Sequence, residues 1–265
     1  MCTLVLAWHC FDGTPIAVAA NRDEAADRPS DPPGEFAAGV LAPRDLEAGG
    51  TWIGVTRGGL VAAITNRWTD REVAGDRSRG LLVADVLDCE SADEAIDIVS
   101  RETDRREYDA FNLTIADRER AVVAEWDGEL SITDLSPGVH VVVNVAVDDR
   151  LSIPERRAEV GRQQAENARR VRRELTVGES EGVEGWLDRA GDVLSNHEYG
   201  VCVHGDGFGT RSSSLLAVGE GARYLFADGP PCRTAYERVD GAVEWGDDVR
   251  PDTRTDAEGD REGQV

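Results

Sequence analysis

Cys2-Thr3-Leu4-Val5-Leu6-Ala7-Trp8-His9-Cys10-Phe11-Asp12-Gly13-Thr14-Pro15-Ile16-Ala17-Val18-Ala19-Ala20-Asn21-Arg22-Asp23-Glu24 reads as a β-hairpin. Thr3–His9 and Ile16–Ala20 are apolar runs of strand length, and Asp12-Gly13 between them signals the turn. An antiparallel hairpin with a tight turn returns its second end to the side of its first. Cys2 begins one strand and Asn21-Arg22-Asp23-Glu24 ends the other, so the tetrad is expected beside the cysteine. Cys2 also follows Met1 directly, and its small side chain permits removal of that methionine. The product would carry a thiol and a free α-amine on one residue. An unperturbed α-amine titrates near pH ~7.7–8.0 and a free thiol near ~8.5. Nucleophile and general base would then share one carbon. A buried, inert thiol is the alternative reading.

Outward from the hairpin, Arg28 to Gly50 reads as loop, broken by Pro29, Pro32, Pro33 and Pro43. A second hairpin follows, Thr51–Thr56 and Leu60–Asn66 around Arg57-Gly58-Gly59, with apolar runs fit for burial on both faces. Ser78 and Ser91 are N-caps for helices over Arg79–Cys89 and Ala92–Glu102, with Glu94 at the capping-box offset. Strands are expected at Asn112–Ala116, Ala121–Glu125, Glu129–Thr133 and Val139–Val143, with a turn at Trp126-Asp127-Gly128. Pro154 opens a polar helix to about Leu175, and Val183–Leu194 reads as another. Further strands are expected at Tyr199–Val203, Thr210–Ala217, Arg223–Phe226 and Ala235–Arg238. After Trp245 almost nothing remains to bury, so residues 246–265 are expected to form a disordered acidic tail behind a single domain over 1–245. Alternating blocks of strands and helices fit an α+β domain of layered sheets covered by helices.

The chain carries a net charge of −23, and all 29 basic residues are arginine. An acid-rich, lysine-free composition is that of a halophilic protein whose carboxylate surface stays hydrated in salt. The alternative, an acidic face that recruits a basic partner, has less behind it. No basic stripe is present to neutralise phosphates, so nucleic-acid binding is not expected. Five cysteines, at 2, 10, 89, 202 and 232, fall without CxxC spacing and read as reduced thiols. No apolar stretch approaches the ~18 residues of a membrane span, and Thr3–Trp8 lacks the features of a signal segment. A cytoplasmic protein without membrane insertion is the expectation. Cys202 and His204 would share a strand face, and His9-Cys10 adds two more soft ligands. Their spacing fits no zinc pattern, so strand packing is preferred and neither a metal nor a cofactor is expected.

Several blocks, in order, carry a resemblance: Met1-Cys2-Thr3, Asn21-Arg22-Asp23-Glu24, Gly50-Thr51-Trp52-Ile53-Gly54-Val55, Leu60–Asn66, Ser78-Arg79-Gly80 and Phe208-Gly209-Thr210-Arg211-Ser212-Ser213-Ser214. Through them the chain resembles the NRDE, or transport-and-Golgi-organisation, family. That resemblance implies a four-layer αββα sandwich of the N-terminal nucleophile hydrolase type, with two mostly antiparallel sheets. It also implies the chemistry of cysteine acylases that cleave penicillin V or conjugated bile acids. Cys2 would attack an amide or thioester carbonyl of a small acylated compound, its proton passing to the freed α-amine. Asp23 would hold the amine, and Arg22 would lower the thiol pKa. Adjacent strand residues point to opposite faces, so Arg22 and Asp23 cannot both face Cys2 unless the strand ends or bulges. The acylases keep their arginine three residues before the aspartate, where this chain has Ala20. An Arg–Asp–Glu cluster that structures the following loop is the competing reading.

Asn66 and Asn144, each at a strand end, are candidate oxyanion donors, matching asparagines the acylases keep for that role; strand-end asparagines are otherwise ordinary turn formers. Arg211, in a strand after Gly205-Asp206-Gly207-Phe208-Gly209, would share a face with Ser213 and need a structural or substrate carboxylate. The glycines there precede no helix, which excludes a dinucleotide loop. A different class of function fits the same fold: a non-catalytic binding or trafficking protein for haem or an acyl lipid.

Overall fold

The computed structural model describes residues 2–240; Met1 and residues 241–265, including the tail expected over 246–265, lie outside the described residues. The opening hairpin forms as β1 (Thr3–Phe11) and β2 (Thr14–Ala25), with Gly13 at φ +71° in the turn. The strand runs past Ala20, so the Asn21–Glu24 tetrad is itself part of β2. Thr3 pairs with Asn21 and Trp8 with Ile16, and a bulge at His9-Cys10 faces Pro15, which has no N–H to give to the ladder.

Arg28 to Gly50, expected as loop, instead contains β3 (Ser30–Ala37) and β4 (Val40–Asp45). The prolines are tolerated because β3 is an edge strand whose register shifts between Asp31 and Gly34, past Pro32 and Pro33. Pro43 lies beyond the two pairs, Val40 with Thr56 and Leu41 with Val55, that join β4 to its inner neighbour. That neighbour is β5 (Ile53–Thr56), followed by β6 (Val61–Asn66), α1 (Arg79–Val86) and α2 (Ala92–Thr103). Ser78 Oγ accepts from Gly80 N and Ser91 Oγ from Glu94 N, both at 3.2 Å, as N-caps should. The Glu94 carboxylate returns to Glu90 N rather than to Ser91 N, one residue off the capping box.

Next come β7 (Phe111–Ala116), β8 (Ala121–Trp126), β9 (Leu130–Asp134), β10 (Gly138–Val143), β11 (Ala146–Val147) and β12 (Arg150–Leu151). A 3₁₀ turn after Pro154 leads into α3 (Ala158–Glu174), and α4 (Val183–Ser195) follows. The strand expected at Tyr199–Val203 is absent. His197–Tyr199 is a 3₁₀ turn closed by Gly200 at φ +66°, and the segment beyond it makes one isolated bridge, His204 with Gly209. The chain then forms β13 (Phe208–Val218), β14 (Ala222–Ala227) and a two-residue β15 (Glu237–Arg238), shorter than expected.

Two wholly antiparallel sheets result: β12-β11-β10-β1-β2-β13-β14-β15 and β3-β4-β5-β6-β7-β8-β9. Between them Leu4, Leu6, Ile16, Val18 and Leu216 meet Ile53, Val55, Val61 and Val123, all nearly or wholly buried. Each such side chain contributes roughly 1.5–3 kcal/mol by burial. The opposite face of the first sheet (Val5, Ala7, Ala17, Ala19) packs on α3 and α4 through Ala165, Ala168, Val171, Trp186 and Leu194. The outer face of the second packs on α1 and α2 through Leu82, Val83, Val86, Ala95 and Val99. The order is helices, sheet, sheet, helices, the expected four-layer αββα sandwich. Among the described residues no helix is long and apolar enough to cross a membrane.

Candidate functional site

Because Thr3 pairs with Asn21, Cys2 lies opposite Arg22. Strand alternation sends Asn21 to the helical side, where its Nδ2 donates to Leu194 O at 3.0 Å and to Val201 O at 2.9 Å. Arg22 lies on the inter-sheet side with Cys2, Leu4 and Ala20, and all four line a cleft of about 110 Å³. Asp23 lines it too, although alternation would send it away. The register accounts for this: Thr210 pairs with Asp23 and Ser212 with Arg22, so Arg211 is an extra residue bulged out of β13. A bulge adds local twist and re-aims nearby side chains.

The cysteine Sγ donates to the Asp23 carbonyl at 3.6 Å. Burial pushes the Cys2 thiol up, and the Asp23 carboxylate pushes it the same way, while Arg22 opposes them. Burial also raises Asp23, which accepts a 2.5 Å hydrogen bond from Thr210 Oγ1. Thr210 Oγ1 in turn accepts from Val203 N at 2.8 Å, so one hydroxyl ties the carboxylate to the segment before β13. Burial works against the charge of Arg22, offset by Glu24, whose carboxylate is 3.8 Å away. The Arg22 guanidinium lies 4.1 Å over the Trp52 ring.

Asn66, at the end of β6, lines the cleft. Asn144 lies behind it, its Nδ2 donating to Asn66 O at 2.6 Å and its Oδ1 accepting from Gln164 Nε2 at 2.8 Å. The buried amide therefore holds the Asn66 backbone and is not itself part of the lining. Arg211 is not brought to the site. Its position in the bulge leaves it exposed and breaks the expected pairing of faces with Ser213. Ser212 and Ser214 do share the cleft-facing side. The buried Ser212 hydroxyl has no hydrogen-bond partner among the described residues.

Arg79 and Asn112 are two of the residues in or beside the site that the sequence did not single out. Arg79, first residue of α1, lines the cleft and donates to Ala110 O at 3.0 Å; burial works against its charge as well. Its signal was the Ser78-Arg79-Gly80 block. There the N-cap and a glycine let the helix start meet Gly50 so closely that a Cβ on Gly50 would lie 2.2 Å from Gly80 C. Asn112 is the other: its Nδ2 donates to Thr65 Oγ1 at 3.3 Å and to Val143 O at 3.0 Å, joining the two sheets at the cleft end. An asparagine within an apolar strand was its only mark.

His9 and Cys10 stand apart, bonded to Arg118 O and Trp8 O respectively. Cys202 and His204 do not share a strand face, since no strand forms there. Their thiol and imidazole instead lie within 4.8 Å of those of His197 and Cys232.

The Transport and Golgi organisation 2 family matches residues 1–228. The Bos taurus Transport and Golgi organization protein 2 homolog is 28% identical over 252 residues, covering 82% of this chain and 90% of its own length. The Homo sapiens homolog is 27% identical over 253 residues, with the same coverage. Among solved structures, penicillin V acylase from Agrobacterium tumefaciens superposes with a TM-score of 0.53 at 14% identity, over 86% of this chain and 83% of its own. The C2A mutant of conjugated bile acid hydrolase from Clostridium perfringens gives 0.55 at 13%, over 91% and 92%. The Caenorhabditis elegans ortholog of N-acylethanolamine-hydrolyzing acid amidase gives 0.54 at 14%, over 81% and 92%. These structures share the fold, that of the N-terminal nucleophile hydrolase sandwich. The chain itself belongs to the Transport and Golgi organisation 2 family.

Proposed function

We propose that the protein is an N-terminal cysteine hydrolase that cleaves an amide or thioester bond of a small acylated compound, after removal of Met1. The observation that carries the reading is the Cys2 thiol in a cleft, bonded to Asp23 and opposite Arg22. Burial keeps the thiol protonated, so it needs a base at hand. The freed α-amine supplies one, taking the thiol proton as sulfur attacks the carbonyl carbon. Collapse of the tetrahedral intermediate returns that proton to the leaving amine or thiol and leaves an acyl-cysteine thioester. Water then attacks the thioester, again with the amine as base. Asp23 holds the ammonium form, and Thr210 holds Asp23. Asn66 is the oxyanion donor, with Asn144 as the residue that positions it. Arg22, Arg28 and Arg79 line the cleft together with Asp23, Glu24 and Asp45, and the buried Ser212 hydroxyl has no partner among the described residues, a lining that favours an acylated compound with polar groups.

The test is acyl-substrate profiling of trimmed wild-type protein beside Cys2→Ala. Intact mass should lack Met1, a thiol electrophile should label Cys2 before the other cysteines, and turnover should vanish in the variant. Turnover that survives Cys2→Ala, or an active protein that retains Met1, overturns the mechanism. Tight acyl binding without turnover in both proteins supports the binding and trafficking reading instead.

A further inference from the structure

Three segments between residues 197 and 232 converge beside the start of β13 and the end of β14. The 3₁₀ turn after α4 brings His197, the irregular segment before β13 brings Cys202 and His204, and the turn after β14 brings Cys232. One ligand atom from each lies within 4.8 Å of all the others. His204 Nε2 is 3.2 Å from Cys232 Sγ and 3.7 Å from Cys202 Sγ, and the rings of His197 and His204 meet edge to face at 5.1 Å between centroids. A tetrahedral zinc with Zn–S near 2.3 Å and Zn–N near 2.0–2.1 Å sets its ligand atoms about 3.3–3.8 Å apart. The two measured His–Cys separations lie on either side of the roughly 3.6 Å such a pair takes, and a pair at the 4.8 Å limit needs to close by about 1–1.5 Å.

We infer that His197, Cys202, His204 and Cys232 form a structural zinc site. Two thiolates and two imidazoles suit zinc over calcium or magnesium, which prefer oxygen. On binding, the two thiols release their protons to solvent while the imidazoles coordinate as neutral bases. Two negative charges then balance the dication. Four protein ligands complete the tetrahedron, so no position is left for a substrate, and the metal's role is to staple chain segments. The staple has a visible consequence. Cys202 and His204 flank Val203, whose N–H and C=O both bond Thr210, the residue that holds Asp23. Val201 O accepts from Asn21 in the same stretch. The site is thus a second support for the tetrad, made from residues that the cleft does not use.

The experiment uses the full chain, purified without added metal and with any affinity tag removed. Elemental analysis after dialysis should give one zinc per chain, falling to background in Cys202→Ser and Cys232→Ser. Because Cys202 is buried and its variant could unfold, exposed His197 supplies the control. His197→Ala should keep the circular dichroism of the wild type while its zinc affinity falls by more than about 100-fold, beyond the loss typical of an outer-shell partner. Cobalt(II) added to chelator-treated wild type should produce tetrahedral visible bands and a thiolate charge-transfer band, weakened in every variant. The proposal is overturned if folded wild type takes up no zinc and no cobalt above background. It is equally overturned if protein whose thiols were blocked at lysis carries a Cys202–Cys232 disulfide.

Discussion

Replacing Thr210 with valine removes one oxygen and leaves the shape of the side chain nearly unchanged. That oxygen makes two buried hydrogen bonds, a 2.5 Å donation to the Asp23 carboxylate and a 2.8 Å acceptance from Val203 N. A hydrogen bond to a charged group contributes about 1.5–3 kcal/mol, and a buried N–H left without a partner costs about 1–3 kcal/mol. Thr210→Val is therefore expected to lose roughly 2.5–6 kcal/mol, which for a domain of this size lowers the thermal midpoint by about 2–4 °C per kcal/mol. Thr210→Ser keeps the oxygen and loses a methyl group, a change of about 0.5–1.5 kcal/mol. The contrast between the two variants isolates the hydroxyl. The pH dependence follows from Asp23, whose folded pKa burial already raises. Without its donor the carboxyl is raised further, so it is neutralised more readily in the folded state at low pH. The deficit of Thr210→Val relative to wild type should then be smallest near pH 5 and grow as pH rises. Thermal and urea unfolding followed by circular dichroism, at fixed salt from pH 5 to 8, provide the assay. A valine variant as stable as the serine variant at every pH would refute the reasoning, because the hydroxyl would then hold nothing.

Two other outcomes test the surroundings of the cleft. Gly50→Ala forces a Cβ to within 2.2 Å of Gly80 C and 2.4 Å of Gly80 O, both backbone atoms. Overpacking of this kind costs about 1–3 kcal/mol or more. Arg79, next to Gly80, should be displaced, so lost stability by urea unfolding should come with slower labelling of Cys2; unchanged values in both would show that the contact yields freely. His140 sets a pH response: burial lowers its pKa, but Asp148 Oδ2 and Ser136 O, each 2.7 Å from a ring nitrogen, outweigh burial and raise it. Its contribution is fully present below the unfolded value near 6.5 and is lost as pH rises through the folded value. The stability of wild type minus that of His140→Gln should therefore shrink from pH 6 upward, and a difference independent of pH contradicts the assignment.

The opening hairpin shows how much of the site was legible before folding. Apolar runs on both sides of Asp12-Gly13 specify two strands, and the length of the turn specifies their register to within the bulge at His9-Cys10. The meeting of Cys2 with the Asn21–Glu24 tetrad follows from those local facts; an unbulged hairpin would set Cys2 opposite Asp23, and the bulge shifts the register by one residue to set it opposite Arg22. The second hairpin and the caps at Ser78 and Ser91 were legible for the same reason, since turns and caps are chosen by residues a few positions apart. Arg28–Gly50 was misread because prolines forbid an interior strand but not an edge strand, and edge or interior is a property of the whole sheet.

Sequence alone thus determined the strands of the hairpin, the class of the fold and the meeting of Cys2 with Asn21–Glu24. Tertiary structure decided what surrounds them. It ejected Arg211 through a bulge in β13, brought Arg79 into the cleft through the Gly50–Gly80 contact, and turned Asn144 onto the Asn66 backbone. It also gathered His197, Cys202, His204 and Cys232 from segments with no common periodicity. The division has one physical cause. Strand alternation, turns and caps act over a few residues, whereas bulges, backbone close approaches and ligand clusters depend on which distant segments the packed layers press together.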